Sequence, residues 1–190
     1  MVEPVPYVAD RLRANVDGNP RVTVEMVAIT EEDGEREFHH LAAPDDAVWE
    51  WYHALGSFDR DVLLKHVGLI PDIESRLVTT TVPCITFDTL CARHGLSKVD
   101  VIKIDTEGYD HVILGLIDLE RYQPKIVMYE HMHLPRSVRL DVEDRFRTYG
   151  YEFFSDWMDT IAIDQESLKR DPELASILKS AQRANRRHEA

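Results

Sequence analysis

Only two cysteines stand among the 190 residues, Cys84 and Cys91. Seven positions apart and flanking a predicted helix start, they read as two small buried hydrophobes rather than a disulfide or a metal pair. Glycine is scarce too: there are eight, and no two form a Gly-x-Gly, which leaves this stretch without a glycine-rich nucleotide loop. Basic residues are outnumbered, with 22 Lys and Arg against 35 Asp and Glu and a formal net charge of -13. That balance argues against a nucleic-acid backbone or an anionic membrane surface as partner, because both would be repelled at long range. There is no apolar run of about 18 residues and no basic-then-apolar start, so the chain reads as soluble and non-secreted, with the cytoplasm as the default compartment. Internal repeats and low-complexity linkers are missing as well.

What remains is a chain the size of one globular domain, 44% hydrophobic and 30% charged, long enough to bury a sizeable core. Its centre is the stretch Val99 to Asp110. A β-branched run (Val99, Val101, Ile102, Ile104) ends in Asp105, Glu107 and Gly108, and His111 to Leu119 then reads as a helix. In an open α/β sheet the carboxyl ends of the strands form the ligand crevice, so acids placed there are better site candidates than acids elsewhere. Asp105 and Glu107 are the first candidates. Asp105 has a second reading, as the cap of the following helix.

In chain order, Pro6 to Val16 reads as a helix and Val22 to Ile29 as a strand. Glu31 to Gly34 is a turn into a second strand at Glu37 to Ala42. From Ala43 to Arg76 the alternation lapses into an aromatic-rich segment that includes Trp49, Trp51, Tyr52 and Phe58, either a lid over the strand ends or core packed on the sheet. A short helix over Asp59 to His66 would be capped by Ser57 or Asp59. Leu77 to Val82 is a strand, Phe87 to His94 a helix, and Lys125 to Tyr129 a buried strand finishing in Glu130-His131-Met132-His133. Val138 to Tyr149 is a helix, and Tyr151 to Phe154 with Thr160 to Ile163 an antiparallel hairpin. The expected organisation is a domain over residues 1–165 and a polar helical tail over 166–190.

Glu3-Pro4-Val5-Pro6, the Asp33-Gly34 turn, Gly56-Ser57-Phe58 with Lys65-His66, Val82 to Asp88, Ile102-Lys103-Ile104-Asp105-Thr106-Glu107-Gly108-Tyr109-Asp110 and Tyr129-Glu130-His131 together resemble the FkbM-type family of S-adenosylmethionine-dependent methyltransferases. The resemblance covers about residues 2 to 163. It implies an α/β fold with a Rossmann-like methyltransferase sheet, mostly parallel with an antiparallel hairpin near the C-terminus. It also implies methyl transfer from S-adenosylmethionine, commonly to a hydroxyl oxygen of a sugar or small metabolite. Glu3 would stand at a strand end and accept from the cofactor ribose, in keeping with the use of acidic acceptors for a ribose diol in α/β folds. Val27-Ala28-Ile29 would lie against the adenine, largely through backbone groups, and Asp105 near the methyl group.

The family's glycine loop follows a first strand that would lie before Met1. The expectation is therefore an N-terminally truncated sheet, with the alternative that the fold is a non-catalytic scaffold that has lost its cofactor.

Methyl transfer to oxygen is an in-line displacement that needs alignment, exclusion of water and a group to take the hydroxyl proton. Asp105, Glu107 and His111 are the catalytic candidates, with Glu107 and His111 on one helical face if the helix starts early. Trp51, Phe58, Glu130 and His131 are the substrate candidates. Asp105, Glu107, Glu130 and His131 are also metal-ligand types, provided the two strand ends are adjacent. Their spacing matches no metal motif, so none is assigned as a ligand. Expected partners are a small hydroxyl-bearing molecule and, as one option, a second copy of the chain.

Overall fold

The computed structural model describes residues 1–43 and 50–188. They fall into two compact units, Met1–Leu90 and Cys91–Ala190. Each unit carries a four-stranded mixed sheet flanked by helices. No helix among the described residues is long and apolar enough to cross a membrane.

In the first unit, α1 (Pro6–Asn15) opens on a proline, where the missing N–H costs nothing because that donor has no intrahelical partner. The strand expected over Val22 to Ile29 shrinks to β1 (Ala28–Ile29), with one parallel bridge, Val2 to Glu25, before it. Next come β2 (Gly34–Leu41), β3 (Gly56–Ser57), α2 (Arg60–Leu64), α3 (Ile73–Arg76), β4 (Leu77–Ile85) and α4 (Phe87–Arg93), whose last three residues belong to the second unit. The strand order is β1-β4-β2-β3. β4 pairs parallel with β1 (Ala28 with Cys84) and antiparallel with the whole of β2, from Gly34 opposite Cys84 to Leu41 opposite Leu77. The turn before β2 therefore does not close a hairpin with β1: β4, arriving from far along the chain, takes the place between them.

Asp59 caps α2, its carboxylate accepting from Asp61 N at 2.9 Å, and Ser57 Oγ accepts from Asp59 N at 3.1 Å. Tyr52 and Leu55 are core, packed with Leu41, Leu63, Ile70 and Ile73. Phe58 sits against the cluster of Val5, Ala28, Phe38, Val82 and Cys84, its ring edge-on to Phe38 at 5.0 Å. Gly56 allows that approach, since a Cβ there would lie 2.7 Å from Phe38 Cε1. The core reading thus holds for Tyr52 and Leu55. Val48 and Trp49 lie outside the described residues, as does the side chain of Trp51.

In the second unit the elements are β5 (Val101–Ile104), α5 (Asp110–Leu116), α6 (Leu119–Tyr122), β6 (Ile126–Glu130), α7 (Arg136–Thr148), β7 (Tyr151–Ser155), β8 (Asp159–Asp164), α8 (Gln165–Arg170) and α9 (Pro172–His188). The order is β5-β6-β8-β7, with β5 and β6 parallel and the remaining pairs antiparallel. The expected hairpin of β7 and β8 is present, whereas the expectation of a mostly parallel sheet is not met within either unit. β5 is an edge strand of its sheet and alternates exposed and buried, so it is half-buried rather than the fully buried strand its sequence suggests. Tyr122, Val127, Tyr129 and Phe146 are fully buried, each stabilising the unit by about 1.5–3 kcal/mol relative to exposure for side chains of this size. In the tail, Leu178 is buried. Both cysteines are buried.

Candidate active site

The parallel register of β5 and β6, with Ile104 opposite Tyr129, sets their C-terminal tips side by side. Asp105 follows β5 directly and Glu130 closes β6. Carboxylate oxygens of Asp105, Glu107 and Glu130 lie within 4.8 Å of one another. This is the juxtaposition that sequence spacing alone could not supply.

The loop between β5 and α5 makes it possible. Glu107 has φ +50° and Gly108 φ +99°. For a non-glycine residue the left-handed conformation costs of order 1 kcal/mol and needs surrounding contacts to hold it. Those contacts are visible. Glu107 Oε2 stands 3.1 Å from His133 Nε2, with only 13% and 8% of the two side chains exposed. Asp110, fully buried, accepts from Thr106 N (3.2 Å), Thr106 Oγ1 (2.8 Å) and Glu130 N (3.2 Å). Asp110 thereby ties the loop to the end of β6. Burial holds its carboxyl above the ordinary range, and the bonds from Thr106 pull it partly back.

The three acids of the cluster differ in circumstance. Asp105 is exposed and meets Lys103 Nζ at 2.9 Å. Glu130 is buried, its side chain 7% exposed, and His133 Nε2 lies 3.7 Å from its Oε2. That oxygen is buried and has no hydrogen-bond partner among the described residues. Burial first, and the charge of Glu107 second, push the Glu130 carboxyl up to about 7.

His131 is buried one residue beyond, its Nδ1 2.9 Å from Thr160 Oγ1 and its backbone N donating to Met158 O at 2.8 Å. Burial holds His131 below the usual imidazole value, with Arg139 adding to the effect.

Two sequence expectations are corrected here. Asp105 is not the helix cap, because α5 begins at Asp110 with Tyr109 in the cap position and no side-chain cap. Glu107 and His111 do not share a helical face either, since Glu107 precedes the helix. His111 Nδ1 lies 3.2 Å from Gly108 O, and the residue lines a groove with Leu114, Val138, Val142 and Phe146.

In the first unit, Glu3 is half-buried next to the Val2 bridge and its Oε1 accepts from Val5 N at 2.8 Å. Burial raises its carboxyl above the ordinary value. Ala28 is buried in β1, so a ligand there would meet backbone rather than side chain. Sequence reasoning passed over Asp110 and Thr160. The one available signal for Asp110 was a threonine four residues earlier, spaced to close a loop on the first turn of a helix.

The methyltransferase FkbM domain family matches residues 1–163. No curated protein and no solved structure matches the chain significantly. The family match reaches the last residue but one of β8, takes in every strand of both sheets, and includes both strand tips on which the acids converge. On that span the chain belongs to the FkbM methyltransferase domain family.

Proposed function

We propose that the chain is an S-adenosylmethionine-dependent methyltransferase acting in the cytoplasm on a hydroxyl oxygen of a sugar or other small metabolite. The observation that carries this reading is the convergence of Asp105, Glu107 and Glu130 at the tips of β5 and β6, inside the matched domain. When bound, the cofactor's sulfonium supplies a methyl group open to displacement.

The residues present fit such a ligand at the points available to test. Glu3 has one oxygen on Val5 N, so the other can accept from a ribose hydroxyl. The backbone at Val27 to Ile29 offers hydrogen-bonding groups and a flat edge for an adenine.

Asp105, the most exposed acid of the three, would take the proton that the acceptor hydroxyl loses on methylation. Glu107 and Glu130 orient the acceptor, together with His131. His111, seated against the Gly108 carbonyl, acts as a positioning residue for the turn. The competing reading is a non-catalytic scaffold of the same fold that has lost its cofactor.

Calorimetric titration with S-adenosylmethionine separates the two. Saturable binding is expected. Its absence both in this chain and in one extended upstream overturns the enzyme. Asp105→Asn should then lower turnover by roughly 10²–10⁴-fold, the usual contribution of a positioned base, with cofactor affinity and melting temperature unchanged. Unaltered turnover in a folded variant removes Asp105 from the mechanism.

A further inference from the structure

Three carboxylates within 4.8 Å repel one another, and the structure opposes that repulsion only in part. Lys103 meets Asp105 from the exposed side at 2.9 Å, the lysine side chain being 55% exposed. Among the described residues no lysine or arginine pairs with Glu130 in this way. Its side chain is 7% exposed, its Oε2 has no hydrogen-bond partner among the described residues, and the imidazole His133 Nε2 stands 3.7 Å from that oxygen, beyond hydrogen-bonding distance. A buried carboxylate oxygen left without a donor is costly, so its persistence next to two further acids points to a ligand. His133 adds an imidazole nitrogen 3.1 Å from Glu107 Oε2.

We propose that the tips of β5 and β6 hold a divalent cation of the Mg²⁺ or Mn²⁺ class, ligated by Asp105, Glu107 and Glu130 with His133 alongside. The donor set decides the class. Three carboxylates without a thiolate suit hard ions, Mg²⁺ and Mn²⁺ among them. The frame is preformed on the side that matters: Glu130 N donates to the buried Asp110, and the Glu107 turn is held open in the left-handed region. Three carboxylates also give the site its charge, since a dication neutralises what Lys103 leaves unbalanced. Resting on the hydroxyl methylation proposed above, the ion would bind the acceptor oxygen and ease loss of its proton, which Asp105 can take on the oxygen not used as a ligand.

The test is electron paramagnetic resonance of free Mn²⁺ titrated into the full chain without S-adenosylmethionine. The expected result is loss of the free-ion signal with a dissociation constant of about 10⁻⁵ M or tighter, in the range of carboxylate-rich sites. Glu130→Gln and Asp105→Asn should each weaken binding by at least roughly 10-fold, the lower end of what disturbing a metal site costs. Circular dichroism and melting curves accompany both variants. Asp105 is exposed, so Asp105→Asn keeps the test decisive even if Glu130→Gln fails to fold. Absence of Mn²⁺ binding by the parent chain at about 1 mM overturns the site, as does a folded Asp105→Asn that binds like the parent. The calorimetric titration with S-adenosylmethionine on the same protein reads the proposed function separately, so failure of one leaves the other standing.

Discussion

Asp33 in the first unit and Glu130 in the second are both carboxylates at an end of a four-stranded sheet, and they are treated in opposite ways. Asp33 lies just before β2 and accepts from Thr86 N at 2.7 Å and Thr89 Oγ1 at 2.9 Å, linking that turn to the start of α4. Glu130 is buried, crowded by two more acids, and has one oxygen without a donor among the described residues. The contrast shows that an acid at a strand end is not by itself a site. What separates a structural acid from a chemical one is whether the protein's own donors satisfy it. Asp110 makes the same point from within the second unit: it is as buried as any residue there, yet three donors converge on it.

The comparison can be broken most directly at Asp110. Asp110→Ala strands the Thr106 and Glu130 donors it now satisfies, and should cost roughly 3 kcal/mol in denaturant unfolding. A loss below about 1 kcal/mol would mean that water replaces the carboxylate and that the loop does not depend on it. Asp33→Ala removes two hydrogen bonds from an exposed acid, and a smaller loss of about 1 kcal/mol is expected by the same measurement. Asp105→Asn, by contrast, should leave stability within about 0.5 kcal/mol, since an exposed ion pair with Lys103 contributes little. If Asp33→Ala proves neutral while Asp105→Asn unfolds the chain, the assignment of roles is reversed.

The smallest expected effect is a change of slope. Burial lifts the Glu3 carboxyl above its unfolded value of 4.5, so the folded chain keeps that proton to higher pH than the unfolded chain does. The resulting stabilisation is fully present below pH 4.5 and is lost as pH rises through the folded value. Glu3→Gln should flatten stability against pH across that interval, and a curve parallel to the parent's would show that Glu3 is solvated.

Much of this could be read from residue order. Asp105, Glu107 and Glu130 stand out as acids directly after β-branched runs, the capping of α2 by Asp59 follows from its position, and the β7–β8 hairpin is announced by two short apolar runs around Asp156 to Met158. The rest depends on distant partners. Insertion of β4 between β1 and β2 is decided by pairing across about forty residues, as in Phe38 opposite Thr80, and no local pattern records it. The pairing of Ile104 with Tyr129, which brings the acids together, is equally non-local. The half exposure of β5 was hidden because its β-branched residues read as a buried run, whereas an edge position leaves Val101 59% exposed. Asp110 was passed over because a buried acid in the first turn of a helix looks, in sequence, like any surface acid complementing the helix dipole.

Arg145 reaches from α7 to the far end of α5, donating from Nη1 to Leu114 O at 2.7 Å and from Nη2 to Ile117 O at 2.6 Å. Those carbonyls belong to the last turn, where a helix has no acceptors' partners of its own. With Asp110 fastened to β6 at the other end, α5 behaves as a beam gripped at both supports. Any adjustment that the acidic tip makes to an incoming molecule must therefore be taken up by the few peptide units from Asp105 to Tyr109, where Glu107 and Gly108 already carry the unusual backbone angles.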